Sequence, residues 1–295
     1  MPSRSATMEG FEEAPDVELI LAAKSADLPG GIHVLRALPQ AQRRMVGPFV
    51  FLDQMGPTSL RADVLSHPHI GLSTVTYLFE GEILHKDSLG SEQWIRPGAV
   101  NWMTAGSGIV HAERAPTHKP DDGRLYGIQI WVALPRAHEE TAPSFVHHAA
   151  ESLPTVEDAG VRIRLVAGSM FGLRSPVKTH SELFYADVAL EAGAVLKLPA
   201  LHDERAAYVA EGSLSLTRGT LGAGNLALFR RGAEVLLQAT EDSRVLVFGG
   251  EPLDGPRHIF WNFVSSSKER IEEAKRAWKE QRMGKVPGES GFIPL

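Results

Sequence analysis

Short runs of β-branched, aromatic and aliphatic residues recur along the chain and are separated by clusters of Gly, Pro, Asp and Ser. Runs of this length bounded by turn residues predict β-strands. Strands that are numerous, short and free of interleaved helices predict an all-β protein built of barrels or sandwiches. The expected strands are 31–37, 73–80, 83–87, 100–103, 126–134, 161–167, 183–190, 194–198, 205–211, 214–217, 225–229, 234–239 and 244–249.

One of these runs, YGIQIWVAL at 126–134, carries branched apolar residues at alternate positions, namely Ile128, Ile130 and Val132. Alternate side chains of a strand point to the same face of its sheet. We expect this strand to close a first barrel, with the three branched residues facing the barrel interior.

The segment SSKERIEEAKRAWKEQRM, at 266–283, departs from the strand pattern. Its composition favours a helix, and Ser266 with Glu269 has the spacing of a capping box. Ile271, Ala274, Ala277 and Trp278 fall on one face at helical spacing. We therefore expect a C-terminal helix that begins at Ser266, packs through a modest apolar stripe and exposes its charged residues to solvent.

Two similar segments lie in different halves of the chain: TYLFEGEILHKDSLG at 76–90 and AYVAEGSLSLTRGTLG at 207–222. Each reads as a hairpin in which a glycine, Gly81 or Gly212, supplies the turn. The repeat predicts two similar β-domains, with a linker in the Pro- and Ser-containing stretch 142–154. The expected domains are therefore 1–145 and 146–295.

Composition excludes several classes of function. The chain has 295 residues, a formal net charge of -6 and no cysteine. The absence of cysteine excludes disulfides, thiolate metal sites and a Cys nucleophile. Basic residues are scattered, so direct binding to nucleic acid is not expected. The N-terminal stretch lacks the apolar core of a signal peptide and no apolar run is long enough to cross a membrane, so we expect a cytoplasmic protein that does not bind membranes.

Two pairs of polar residues carry the candidate chemistry. His67 and His69 flank Pro68 just before the strand 73–80, where they mark a turn, a capped strand end or half of a metal site. A second pair, His111 and Glu113, has the same spacing. Alternate strand residues point to one face, about 6.6 Å apart, so the two members of each pair can aim at a common point. Together the two pairs offer three imidazoles and one carboxylate. That set suits iron, manganese, nickel, copper or zinc.

The remaining histidines are less informative. His85 lies one hairpin from His69; it either hydrogen-bonds a metal ligand or is a partly buried strand residue. His147 and His148 lie in the expected linker and are expected to face solvent. The histidines without a partner at ligand spacing are interpreted as structural: His33, His118, His138, His180, His202 and His258. A Gly-rich phosphate loop and a GxSxG elbow are both missing from the sequence, so nucleotide binding and serine hydrolase chemistry lack support.

Three segments together resemble the pirin family, the bicupin branch of the cupin superfamily: GPFVFLDQMGP at 47–57, HPHIGLSTVTYLFEGEILHKDSLG at 67–90 and NWMTAGSGIVHAE at 101–113. The later segment GEPLDGPRHIFWNFVSSSKERI resembles the pirin C-terminal region. The resemblance implies an all-β fold with two cupin (jelly-roll β-barrel) domains and a C-terminal helix. It also implies one divalent transition metal per chain, Fe(II) foremost, with Mn, Ni, Cu and Zn as alternatives.

The family's ligands fall on His67, His69, His111 and Glu113. Ordinary cupins place a glutamate shortly after the HxH pair, where this chain has Ser73, so the carboxylate is supplied by Glu113 instead. The second hairpin has neither pair beside it, and we expect its barrel to be free of metal and to serve structure, domain contact or partner binding.

The resemblance implies two main functions. The first is a quercetin 2,3-dioxygenase type of reaction, in which a flavonol and dioxygen meet at the metal and Glu113 takes the 3-hydroxyl proton as the catalytic base. The second is a non-catalytic, iron-dependent regulator whose metal redox state controls docking of a protein partner. A third interpretation is that the metal only holds the barrel together.

Overall fold

The computed structural model describes residues 16–28, 32–59, 63–116, 124–217 and 219–295. The strands of the first half are β1 (Val17–Ala22), β2 (Lys24–Leu28), β3 (Ile32–Leu38), β4 (Phe49–Thr58), β5 (Val64–His69), β6 (Leu72–Glu80), β7 (Ile83–Asp87), β8 (Glu92–Ile95), β9 (Val100–Thr104), β10 (Ile109–Arg114), β11 (Leu125–Ala133) and β12 (Ser144–His148).

The strands of the second half are β13 (Thr155–Asp158), β14 (Val161–Met170), β15 (Leu173–Arg174), β16 (Leu183–Leu190), β17 (Val195–Leu198), β18 (Glu204–Glu211), β19 (Ser213–Ser215), β20 (Thr220–Gly222), β21 (Asn225–Phe229), β22 (Val235–Ala239), β23 (Ser243–Gly250), β24 (His258–Phe260) and β25 (Phe263–Ser265). One α-helix, α1 (Lys268–Lys279), follows, and two short 3₁₀ turns cover Arg136–His138 and Ala150–Ser152. Within the described ranges, no helix is long and apolar enough to span a membrane.

The expected strands are confirmed: each overlaps an observed strand, and β7, β16 and β21 have the expected bounds. Residue 31, at the start of the first expected strand, and His118 lie outside the described residues. Several strands of the first half, among them β5 and β10, were not expected. Their buried positions carry histidines, so the apolar alternation that indicates a strand is missing from them.

The first half forms a seven-stranded sheet in the order β12-β9-β6-β11-β4-β3-β2 and a four-stranded sheet in the order β5-β10-β7-β8. The second half repeats this plan with an eight-stranded and a four-stranded sheet. Gly81 joins β6 to β7 and Gly212 joins β18 to β19, both at positive φ (83° and 77°). The hairpins predicted at both glycines are confirmed, and the fold is all-β with two cupin domains.

The two large sheets share one apolar layer. Ile128, Ile130 and Val132 of β11 pack there with side chains of the second half such as Tyr185 and Phe248. The expectation that these three residues face the interior of the first barrel is therefore wrong. Both faces of the sheet are buried, so alternation reveals that a strand has two faces but not which neighbour each face meets.

The two ends of the chain cross between the halves. Strand β1 pairs with β21 in the large sheet of the second half. Near the other end, Phe263 of β25 bridges to Ile70, and α1 packs Ile271 and Trp278 in the same cluster as Ile70. The division into 1–145 and 146–295 stays a prediction. Strand β1 and the segment of β25 and α1 both contact the half other than the one to which this division assigns them.

Two local expectations need correction. The helix begins at Lys268, and its N-cap is Ser267, whose Oγ accepts a hydrogen bond from the Arg270 backbone. Ser266 lies one residue before this N-cap, and its backbone N–H and hydroxyl both donate to Glu139 (2.9 and 2.8 Å). The stretch expected to be a linker forms strand β12 at Ser144–His148, which pairs with β9; there His147 lies 2.7 Å from the Asn101 side-chain oxygen.

Two of the four buried tyrosines in the apolar layer differ in their hydrogen bonding. Tyr77 donates to Asp187 Oδ2 (2.8 Å), a carboxylate that Arg244 also holds. The Tyr185 hydroxyl has no hydrogen-bond partner among the described residues. We expect Tyr77→Phe to lower the free energy of unfolding by about 1–3 kcal/mol, because it removes a buried hydrogen bond to a charged group.

The matched change Tyr185→Phe is expected to leave the free energy of unfolding unchanged or to raise it slightly, because it removes a buried polar atom that has no partner. Urea denaturation of both variants beside the unaltered protein makes the comparison. Equal destabilisation by the two changes would contradict the assignment of the Tyr77–Asp187 hydrogen bond as stabilising.

Candidate metal centre

Two adjacent strands of the small sheet bring the predicted histidines together. Strand β10 pairs antiparallel with β5, so that His111 lies opposite His67 and Ile109 lies opposite His69. Pro68 lies between the two histidines on β5, which is the edge strand of this sheet. Proline has no backbone N–H to donate to a neighbouring strand, so within sheets it is found on edge strands such as this one. The His-Pro-His sequence is thus an edge strand that aims two imidazoles at one face.

The three imidazoles form one buried cluster. His67, His69 and His111 are 7%, 2% and 1% exposed, and one ring nitrogen from each lies within 4.8 Å of those of the others. The ring centroids are 4.2–5.1 Å apart. Among the described residues, these three histidines are the one group of three or more potential metal ligands whose ligand atoms converge.

The hydrogen bonds of the cluster leave one nitrogen per ring for a ligand. His67 donates from Nδ1 to the Leu65 carbonyl oxygen (2.8 Å), and His69 hydrogen-bonds the backbone of Asn262. His69 Nδ1 and His111 Nε2 are buried and have no hydrogen-bond partner within the part of the chain that the structure describes. Buried polar atoms are nearly always paired. Two unpaired imidazole nitrogens in one cluster therefore fit a transition metal, for which neutral imidazole is a common ligand.

The electrostatics keep the imidazoles neutral. Burial lowers the pKa of His67 to about 4. Burial, reinforced by repulsion from neighbouring imidazoles, lowers the pKa of His69 and His111 well below the usual range. Each ring therefore carries a free lone pair near neutral pH, the form that binds a metal.

Glu113 lies in the same cavity but outside the group of three histidines whose ligand atoms converge. A register shift between His111 and Glu113 displaces it along β10, where it lies opposite Val64 and His85. Burial raises the pKa of Glu113, while His85 and a hydrogen bond from Thr76 oppose the shift. The roles of Glu113 as ligand and base stay predictions.

The cavity in front of the cluster has a volume of about 420 Å³. One wall is aromatic: Phe51 stacks on Trp131 (ring centroids 4.0 Å, 14°), and Trp131 meets His69 edge-on (5.3 Å). Arg36 lies over the far face of this wall, 4.7 Å from the Phe51 centroid, and pairs with the fully buried Asp53. An extended aromatic surface thus runs from His69 to the guanidinium group of Arg36.

Three cavity residues, Trp261, Asn262 and Ile293, come from the C-terminal part of the chain. Sequence reasoning missed them because they are far along the chain from the histidines and lie outside any ligand spacing. The only signal was the WNF stretch within the segment that resembles the pirin C-terminal region. The interior of the second barrel, by contrast, is filled by a cluster of aliphatic and aromatic side chains.

The chain is similar to known proteins over nearly its whole length. The Pirin family profile matches residues 31–132, and the Pirin C-terminal cupin domain profile matches residues 185–284. A Pirin-like protein of Caulobacter vibrioides is 50% identical, with 95% of this chain and 99% of that protein covered. A crystal structure of quercetin 2,3-dioxygenase from Acinetobacter baumannii is 35% identical with a TM-score of 0.87 and covers 94% of both chains. A second one is 29% identical with a TM-score of 0.84 and covers 92% of this chain and 99% of the other.

Metal analysis tests the cluster directly. We expect the purified protein to bind about one divalent transition metal per chain, because three neutral imidazoles converge at one place. His67→Ala should weaken binding by more than about 100-fold, since loss of a ligand's supporting partner alone costs about 10–100-fold. The control His202→Ala, in the second half, should bind as the unaltered chain does. A stoichiometry near two would contradict the single-site assignment.

The low pKa of His67 predicts a pH dependence of the metal-free protein. The unfolded chain binds a proton at His67 near pH 6.5, whereas the folded chain binds it only near pH 4. The contribution of neutral His67 to the free energy of unfolding is therefore fully present above about pH 6.5 and is lost as the pH falls toward 4. We expect the Tm of metal-free protein to decrease over this window and to decrease less in His67→Gln, which has no proton to gain. Parallel curves for the two proteins would contradict the assignment.

Proposed function

The chain belongs to the pirin family, and from this premise we propose that it is a metal-dependent dioxygenase of the quercetin 2,3-dioxygenase type, which opens a flavonol or a similar enolisable aromatic with O₂. The observation that carries the proposal is a cavity in which three imidazoles, a carboxylate and an aromatic wall meet. The similarity to a quercetin 2,3-dioxygenase of known structure supports it.

His67, His69, His111 and Glu113 are the proposed ligands of one divalent metal, Fe(II) foremost, with Mn, Ni, Cu and Zn as alternatives. When bound, the metal would supply Lewis-acid stabilisation of a substrate oxyanion and a site for dioxygen chemistry. The chain itself must supply the remaining functions: binding and orienting the substrate, excluding water and moving a proton.

Glu113 is the proposed catalytic base. Its carboxylate faces the cavity beside the histidines, and burial raises its pKa toward the range useful for taking a hydroxyl proton. Thr76 hydrogen-bonds both Glu113 and Gln129. A hydroxyl has only one proton, so Thr76 donates to one of these acceptors at a time. A substitution at Gln129 therefore changes the hydrogen bonding of Glu113.

The aromatic wall is the proposed binding surface for a planar substrate. Phe51 and Trp131 are stacked and only 8% and 7% exposed, so a ring system entering the cavity meets their edges and the apolar side chains around them. A cavity of about 420 Å³ is of the size that holds small organic ligands, about 300–1,000 Å³. Arg36 is placed to meet polar substituents at the end of the ring system away from the histidines.

A second function, an iron-dependent regulator that docks a protein partner without catalysis, is favoured by one observation. His69 is hydrogen-bonded to the backbone of Asn262, which immediately precedes the buried strand β25, and β25 leads into helix α1. A change of charge at the metal would therefore reach the C-terminal segment through one hydrogen bond. The two functions separate at Glu113, because only the dioxygenase needs a base.

Aerobic turnover of quercetin by the metal-loaded protein, followed by loss of its visible absorbance and by product analysis, tests the dioxygenase proposal. At equal metal content per chain, Glu113→Gln should lower turnover by about 100- to 10,000-fold, the usual cost of losing a positioned base. Glu92→Gln, an exposed change on the same small sheet, is the matched control. Native turnover by Glu113→Gln would exclude the base role, and partner affinity that follows metal content alone would support the regulator.

A further inference from the structure

A chain of three buried side chains links strands β7 and β10 behind the cluster. Asp87 Oδ2 lies 3.0 Å from His85 Nε2, and His85 Nδ1 lies 3.4 Å from His111 Nδ1. The three residues are 0%, 5% and 1% exposed. Phe145 of β12 stacks on the His85 ring (4.2 Å, 10°) and fixes its plane.

The direction of these hydrogen bonds follows from the first residue. The other oxygen of Asp87, Oδ1, accepts the backbone N–H groups of Leu89 (2.9 Å) and Ser91 (3.0 Å). An ionised carboxylate only accepts hydrogen bonds, so His85 must donate to it from Nε2. A neutral imidazole with a proton on Nε2 has its lone pair on Nδ1. His85 therefore accepts from His111, whose proton is on Nδ1 and whose Nε2 is left with a lone pair.

The hydrogen-bond partner of His111 differs in kind from those of the other two histidines. His67 and His69 are held by backbone groups of Leu65 and Asn262. Strand β10, however, has a paired strand on each side, β5 and β7. His111 is paired to residues on both sides, and the hydrogen-bond partner of its Nδ1 is the side chain of His85.

We propose that Asp87 and His85 are positioning residues that fix the tautomer of His111, so that its unpartnered Nε2 presents a lone pair to the metal. The proposal rests on the metal site of the proposed function but not on dioxygenase activity. Both residues act through His111 and make no contact with substrate in this assignment.

Asp87→Asn reverses the chain while keeping its shape. The N–H groups of Leu89 and Ser91 hold the amide oxygen, so the amide nitrogen faces His85 and donates to Nε2. His85 must then carry its proton on Nδ1, and His111 must accept there and carry its own proton on Nε2. The nitrogen intended for the metal is thereby blocked.

Two measurements read this change. In the metal-free protein, ¹⁵N NMR of the imidazole nitrogens should show both His85 and His111 in the opposite tautomer. Competition with a chelator should show that the Kd for Ni(II) rises by about 10–100-fold, the usual cost of losing a ligand's supporting partner. The matched control Asp242→Asn, which removes a carboxylate that accepts a turn N–H in the second half, should change neither.

A second pair of variants tests the proposal independently of Asp87. His85→Gln keeps an acceptor for His111 and a donor for Asp87, and it should bind Ni(II) nearly as tightly as the unaltered chain. His85→Phe keeps the stack on Phe145 but has no acceptor, and its Kd should rise by about 10-fold or more. Equal Kd values for these two variants would overturn the proposal even if Asp87→Asn does not fold.

An unchanged His111 tautomer in folded Asp87→Asn, with a Kd within about twofold of the unaltered chain, would also overturn it. So would absence of Ni(II) binding by the unaltered protein, which removes the premise. Neither measurement uses quercetin, so a protein that binds Ni(II) as expected and never turns over quercetin refutes the dioxygenase proposal alone.

Discussion

The apolar layer between the two large sheets is the interaction on which the rest of the structure depends. A β-sheet must bury at least one apolar face, and in the first half that requirement is met by the face turned toward the second half, where Ile128 and Ile130 pack. The opposite face of the same strand is then free to carry Gln129 and Trp131 into the cavity. The interior of the second barrel has no such freedom and is filled with apolar side chains.

Hydrogen bonds to the protein hold the buried polar side chains that line the cavity. Three imidazoles are held neutral by burial, and each has one nitrogen tied to the protein so that the other is open. Two of the ties are to backbone groups, which cannot be altered by substitution, and the third passes through His85 to Asp87. Among the three histidines, His111 is therefore the one whose supporting partner is a side chain, which a substitution can alter without replacing the proposed ligand.

Much of the fold could be predicted because its strands carry local signals. Strand β7 and both glycine turns follow from β-forming residues next to residues that tolerate positive φ. Local signals end where a side chain has a distant partner. Ser266 has the spacing of a cap, yet Glu139 takes its hydroxyl and Ser267 caps the helix instead.

The candidate site was likewise predictable from the sequence only in part. The spacing of His67 and His69 predicts that they share a face, because a strand has a fixed repeat. Their convergence with His111 depends on the pairing of β5 with β10, which the spacing does not contain. The position of Glu113 depends on a register shift that the spacing does not contain. Asn262 could not be predicted at all, since its contact with His69 depends on how the two halves pack.

The crossing of the chain ends has a consequence for biosynthesis. All four proposed ligands are translated before residue 114, but the backbone group that holds His69 belongs to Asn262, and the tail that covers the cavity reaches Ile293. A nascent chain therefore presents the histidines long before it can orient and enclose them. The site is completed by residues that follow both barrels in the chain, so the histidines can be oriented as they are here only after both barrels have been translated.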